Sequence, residues 1–181
     1  MFAYAYSFNQ PIGNWNVGNV TNMSRIFAGL SFNLPIGNWD VSHVTDMSNM
    51  FAGSSFNQTI GNWNVGSVTD MSDMFWGASS FNQPLNNWDV SLVTNMFAMF
   101  YGASSFNQSI TYWDVSHVTD MNGILEAYSF NQPIGNWNVG NVTDMSYIFA
   151  GAHYFDQFIA NWDLSHVTAM SNMFCNDPAF N

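Results

Sequence analysis

One phrase recurs seven times along this chain of 181 residues. Its marker is a tryptophan that follows a Phe-Asn or Phe-Asp pair and precedes a Val-Thr-x-Met segment. The seven tryptophans are separated by 24 or 25 residues: Trp15, Trp39, Trp63, Trp88, Trp113, Trp137 and Trp162. A fixed period of this length predicts a solenoid, in which each repeat is one coil stacked on the previous one. We therefore expect one array over residues 1–181, with repeats at about 8–31, 32–55, 56–80, 81–105, 106–129, 130–154 and 155–179.

The order of residues within a repeat predicts a strand followed by a helix. Trp39 and Val41 lie two residues apart, as side chains on one face of a strand do. Val44, Met47 and Phe51 are three and four residues apart, which is typical of one face of a helix. The predicted fold is a leucine-rich-repeat-like solenoid with one short parallel strand plus one short helix in each of about seven coils. An all-β solenoid stays open as the alternative, because short apolar runs separate helix from strand poorly.

Stacking such coils would place equivalent side chains in ladders. We expect the seven tryptophans to form one ladder in the core. A second ladder consists of the methionines Met23, Met47, Met71, Met96, Met121, Met145 and Met170. A third consists of the asparagines Asn9, Asn33, Asn57, Asn82, Asn107 and Asn131. At an inner turn, these amides would bond backbone groups of the next coil that are otherwise buried and unpaired.

The charge balance restricts the partners. The chain has 12 acidic residues, a single basic side chain (Arg25) and a formal net charge of −11. Nucleic acid is excluded, because phosphate binding depends on Lys and Arg. The expected charged partners are basic proteins or cations. A chain with one site for trypsin-like proteases also suits an extracellular setting, and no window has the apolar length of a transmembrane segment.

The repeated phrase also carries a family resemblance. Residues 56–65, 68–83 and 130–139 resemble the BspA-like leucine-rich-repeat group, and more closely the repeat of mycoplasma surface lipoproteins and other secreted microbial proteins. The resemblance implies a leucine-rich-repeat-like solenoid on the cell surface or outside the cell. Relatives of this kind act as adhesins, and the resemblance supplies no catalytic residues.

Chemical sites are weakly indicated. Two rows of carboxylates, represented by Asp40 and Asp46, would lie within reach of a calcium ion, but a solvated or capping role is the simpler interpretation. His43, His117 and His166 recur by register and are too far apart to share a metal. We therefore predict no catalytic residues, no metal site and no cofactor.

Exposed aromatic residues are the better candidates for contact with a partner. The ladder tryptophans are read as core, whereas Trp76, Tyr101 and Tyr112 lie outside the ladder and are expected at the surface. The predicted function is a non-catalytic surface or secreted repeat protein, adhesin-like, whose extended acidic and polar face binds a protein or glycan. The alternative is a structural rod or filament subunit that self-associates end to end.

Overall fold

Backbone hydrogen bonds join neighbouring repeats in a constant register. The computed structural model of the chain describes residues 5 and 7–180. In this part of the chain there is no helix and no extended strand, and the fold is mostly non-regular. Each repeat contributes one residue to a series of single parallel bridges: Asn22, Asp46, Asp70, Asn95, Asp120, Asp144 and Ala169. The repeats are therefore related by translation, although their conformation is built from turns.

The segment after each bridge explains why it is not helical. In residues 47–54, backbone N–H groups alternate between two kinds of acceptor. Odd-numbered residues donate to the following repeat, as in the bonds from Met47 to Asp70 and from Phe51 to Met74. Even-numbered residues 50, 52 and 54 donate to the carbonyl three residues earlier, which closes a turn. Asn49, in the middle of the segment, has a φ of 56°, which interrupts any right-handed helix.

The predicted leucine-rich-repeat-like solenoid of strand-plus-helix coils is therefore wrong. A helix requires bonds from N–H groups to carbonyls four residues earlier, and half of these donors are committed to the neighbouring repeat instead. The all-β solenoid is wrong for a related reason, since the described residues contain isolated bridges and no strands. Apolar spacings of three arise here from successive four-residue turns, each closed by a bond from an N–H group to the carbonyl three residues earlier.

Stacked aromatic rings fill the interior. Phe27, Phe51, Phe75 and Phe100 form one column with ring centroids 5.5–5.6 Å apart. A second column of phenylalanines consists of Phe32, Phe56, Phe81, Phe106, Phe130 and Phe155. Its ring centroids are 6.4 Å apart between Phe32 and Phe56 and 6.1–6.2 Å apart between neighbours from Phe81 to Phe155. No rings intervene between the two columns, because Phe75 lies 4.0 Å from Phe81 and Phe100 lies 4.0 Å from Phe106. Offset stacking of this kind adds to the stability that burial itself provides.

The tryptophans lie beside these columns and connect the repeats through their indoles. Six of the seven are buried, and Trp15 is 45% exposed. In each of the six, the indole Nε1–H donates to a backbone carbonyl of the preceding repeat at 3.0–3.2 Å. Six of the seven ladder methionines are also buried, whereas Met170 is 45% exposed.

The asparagines form a hydrogen-bonded row at the edge of the stack. The Oδ1 atom of Asn57 accepts from the N–H of Asn82 at 3.0 Å and from Nε2 of Gln83 at 3.0 Å. The same pair of bonds is accepted by the Oδ1 atoms of Asn33, Asn82, Asn107 and Asn131. Asn9 is exposed, and the row as a whole is partly accessible. These amides satisfy backbone donors of the next repeat that no turn within that repeat satisfies.

Candidate functional site

One surface column changes its chemistry in the middle of the array. The residue before each turn glycine, or before Ala127 where the glycine is replaced, is Ala28, Ala52 or Ala150 in three repeats, but it is Trp76, Tyr101 and Glu126 in three consecutive repeats. The fold keeps these positions adjacent because the N–H of each glycine donates to the carbonyl of the column residue in the next repeat. Large side chains therefore stand next to one another in a column that carries alanine in three other repeats and Cys175 in the last.

These side chains line a cavity of about 270 Å³ that we call the aromatic pocket. Its lining consists of Trp76, Phe97, Ala98, Tyr101, Asn122, Glu126 and Tyr147. The indole of Trp76 stacks on the Tyr101 ring with a centroid separation of 6.1 Å and an angle of 12° between the planes. The four aromatic side chains are between 37% and 47% exposed, so each keeps ring surface available to a ligand.

The pocket exists because a neighbouring column becomes small at the same place. That column carries Arg25, Asn49 and Asp73 in the first repeats and Tyr147 later, but it carries Ala98 and Gly123 beside the pocket. A Cβ atom added at Gly123 would lie 3.4 Å from Cδ2 of Tyr101. Even a methyl group at this position would contact the Tyr101 ring, so the glycine leaves that side of the ring uncovered. Gly123 has a φ of 64°, a conformation that Ala98 and Tyr147 in the same column also adopt but that glycine adopts without strain.

The polar groups of the pocket centre on Glu126, the only glutamate of the chain. Burial raises the pKa of Glu126, and a hydrogen bond from the Tyr101 hydroxyl partly opposes that rise. The negative charge of Glu126, together with burial and that hydrogen bond, raises the pKa of Tyr101. Asn122 donates from Nδ2 to Oδ2 of Asp144 at 3.3 Å. The amide of Asn122 therefore has its oxygen to offer a ligand.

The expected surface aromatics occupy two separate places. Trp76 and Tyr101 line the aromatic pocket, whereas Tyr112 is 82% exposed and lies outside it. Phe97 and Tyr147 were not singled out by sequence reasoning, and Glu126 was noted only as the single glutamate, without a role. Aligning the repeats reveals them, because Phe97 replaces the serine of Ser24, Ser48 and Ser72, and Tyr147 replaces a polar residue.

A second exposed aromatic cluster lies in the later repeats. The ring of Tyr128 stacks on His153 at 5.0 Å and meets Tyr154 edge to face at 5.4 Å. Cys175, the single cysteine of the chain, is also exposed. None of these residues lines the aromatic pocket.

The carboxylate rows support the turns of the chain. Oδ1 of Asp89 accepts from the hydroxyl of Ser91 at 2.7 Å and from its N–H at 3.1 Å. These two bonds lower the pKa of Asp89. In the bridge row, Asp46 and Asp70 accept the N–H group two residues later in the same way. In the described part of the chain, no three His, Cys, Asp or Glu side chains converge as metal ligands would.

Three overlapping segments of the chain, residues 1–54, 30–129 and 108–181, match the family described as "Mycoplasma protein of unknown function, DUF285". The chain belongs to this family. The match supports a mycoplasma-type repeat and does not extend to the BspA-like group. No curated protein and no solved structure matches the chain. Over residues 5 and 7–180, no helical segment reaches the length and hydropathy needed to cross a bilayer.

Proposed function

We propose that the chain is a non-catalytic surface or secreted repeat protein that binds a protein ligand through its acidic face, with the aromatic pocket as the principal contact. The observation that carries this proposal is the replacement of alanine by Trp76 and Tyr101 in adjacent repeats. Stacking of the repeats does not need these rings, since Ala28 and Ala52 serve at the same position. Exposed aromatic side chains that do not support the fold are typical of binding surfaces.

The overall charge favours a protein partner of the opposite sign. A net charge of −11 attracts basic surfaces and accelerates their encounter with the chain. The aromatic pocket, where several residues depart from the repeat, is the place at which we expect a basic partner to bind. An adhesin-like role for this binding surface is part of the same proposal.

A non-catalytic role fits the chemistry of the pocket. General acid–base catalysis uses positioned groups that exchange protons with the substrate, commonly in pairs. The polar side chains of the pocket are the Glu126 carboxylate, the Asn122 amide and the hydroxyls of Tyr101 and Tyr147. This set is better suited to holding a ligand than to transforming it. A surface or extracellular location is part of the same proposal, supported by the single site for trypsin-like proteases.

The test restores the repeat at the pocket. Trp76→Ala combined with Tyr101→Ala introduces the residue found at this position in other repeats, so we expect the fold to survive. The matched control is Tyr112→Asn, which also restores the repeat but lies outside the pocket. Wild type and both variants are applied to arrays of extracellular-matrix proteins and glycans, with circular dichroism as the check on folding.

We expect wild type and Tyr112→Asn to bind the same protein ligands and the double variant to lose them. Equal binding by the double variant would show that the pocket is not the contact. If wild type bound only to glycans on the arrays, we would conclude that the ligand is a carbohydrate and not a protein.

End-to-end self-association stays a prediction. The translational register of the bridges, which would let one copy extend the hydrogen bonding of another, favours it. Sedimentation of the purified chain tests it directly, and discrete monomers at micromolar concentration would refute it.

A further inference from the structure

We infer that the aromatic pocket binds the ammonium group of a lysine side chain presented by a basic protein partner. This inference rests on the proposed function and assigns the chemistry that the pocket recognises. It depends on three features of the pocket: the ring surfaces, the single carboxylate and the lack of an internal cation.

The ring surfaces provide the first part of the attraction. Trp76, Phe97, Tyr101 and Tyr147 surround the same cavity, and each remains partly exposed. The face of an aromatic ring carries negative electrostatic potential, which attracts a cation within about 6 Å of the ring centre. The attraction is largest for tryptophan and increases when the cation is partly removed from water. A cavity of about 270 Å³ open on one side provides that partial removal for the end of a long side chain.

The carboxylate provides the second part. Glu126 lies in the wall of the pocket, and its partner within the protein is the neutral hydroxyl of Tyr101. The chain has no lysine, and its one arginine, Arg25, lies in the first repeat. An external cation would therefore meet a partly buried negative charge that no basic residue of this pocket neutralises. A charge-assisted hydrogen bond to such a carboxylate is stronger than a bond between neutral groups.

The polar groups favour an ammonium over other organic cations. A lysine ammonium has three N–H donors, which the Glu126 carboxylate and the Asn122 oxygen can accept. A quaternary ammonium has no donor and would leave those acceptors without bonds. A guanidinium is bound best by both oxygens of a carboxylate together, and the Tyr101 hydroxyl already donates to the Glu126 carboxylate. The long methylene stem of lysine also matches an opening lined by aromatic side chains.

The experiment is a nuclear magnetic resonance titration of the whole ¹⁵N-labelled chain. The probe is lysine blocked as its N-acetyl methylamide, and the matched probe carries an additional acetyl group on Nζ, which removes the charge. We expect saturable shifts of the Trp76 indole N–H and the Gly123 amide with the charged probe and none with the acetylated one. Trp76→Ala should weaken binding by roughly two- to thirtyfold, the equivalent of one cation–π contact.

Two isosteric variants separate the pocket charge from the net charge. Glu126→Gln should weaken binding by roughly two- to fivefold, the range of a partly exposed ion pair. Asp156→Asn removes the same charge at an exposed position where the equivalent residues, such as Asn131 and Asn107, are asparagine. Binding to Asp156→Asn should equal binding to wild type. An equal loss in both variants would overturn the assignment to the pocket, because diffuse attraction would then explain it.

Three further outcomes would overturn the inference. Tighter binding of tetramethylammonium or of blocked arginine at the same resonances would assign the pocket to a different cation. Equal binding of the acetylated probe would show that charge is not recognised. Without any shift at Trp76 and Gly123, the lysine inference fails, while the array comparison with Tyr112→Asn still decides the proposed function separately.

Discussion

The hydrogen bond from each buried indole to the preceding repeat predicts a measurable contribution to stability. Trp88 is 3% exposed, donates from Nε1 to the Ile60 carbonyl at 3.1 Å and stacks on Trp113 at 6.4 Å. Trp88→Phe keeps an aromatic ring but removes the donor. Trp15→Phe is the matched control, because it makes the same change at the same repeat position in a side chain that is 45% exposed.

The expected magnitude is the sum of two effects. Removing the indole hydrogen bond costs about 0.5–1.5 kcal/mol, because the Ile60 carbonyl still accepts from the N–H of Trp63. The smaller ring leaves a cavity costing about 1–2 kcal/mol, less than the roughly 3–5 kcal/mol of truncating the ring to alanine. Trp88→Phe should therefore lower the free energy of unfolding by about 1.5–3.5 kcal/mol. The Trp15→Phe change should cost less, because more of that side chain is in contact with water.

Urea unfolding followed by circular dichroism measures both variants. Repeat arrays can unfold in parts, so the comparison requires that the dependence on urea be the same in all three proteins. If Trp88→Phe is no more destabilising than Trp15→Phe, the indole bonds do not hold neighbouring repeats together.

Three further outcomes follow from individual side chains. Hydrogen bonds from Ser91 lower the pKa of Asp89, so its stabilisation is present above the unfolded pKa and is lost as pH falls through the folded value; acid titrations of unfolding should be flatter in Asp89→Asn. Burial raises the pKa of Glu126. Its ionisation therefore costs stability as pH rises from the pKa of the unfolded state to that of the folded state. Glu126→Gln should raise the melting temperature at pH 7 but not under acidic conditions where the glutamate is protonated. Asn82→Ala removes the acceptor of the exposed N–H of Asn107 and should cost about 0.5–1.5 kcal/mol in urea unfolding, while Asn82→Asp, which keeps an acceptor oxygen, should cost less.

The repeat register is visible in the sequence, whereas the conformation within a repeat is not. The period of 24 or 25 residues is the separation between bridged residues such as Asp46, Asp70 and Asn95. The helix prediction failed because apolar spacings of three, such as that of Val44 and Met47, fit either a helix face or successive turns closed by bonds to the carbonyl three residues earlier. Hydrogen bonding between repeats decides in favour of turns. Asn49 and Asp73 give a weak sequence signal for this outcome, since Asn and Asp tolerate positive φ better than most residues.

The candidate site was partly visible for a different reason. Trp76 and Tyr101 are conspicuous because they lie outside the tryptophan ladder. Phe97 and Tyr147 belong to two other columns, and only the relative placement of these columns shows that they face one cavity. The vacant space beside Ala98 could not be predicted, because it depends on how a small side chain sits between larger neighbours in three dimensions.

Repeated and variable residues have different roles within a repeat, which explains why binding specificity should reside in the variable ones. The repeated Trp, Asn and Asp side chains are occupied in bonding neighbouring repeats or their own turns, as the bonds of Trp88, Asn82 and Asp89 show. Changing them to suit a ligand would leave backbone groups unpaired, at a cost comparable to a large part of the stability of a domain. The side chain before the turn glycine is not needed for such a hydrogen bond, because several repeats have alanine at this position. Such an array can therefore vary these surface columns with little effect on its fold, and the concentration of Trp76, Tyr101 and Glu126 in one column is what selection for a ligand would produce.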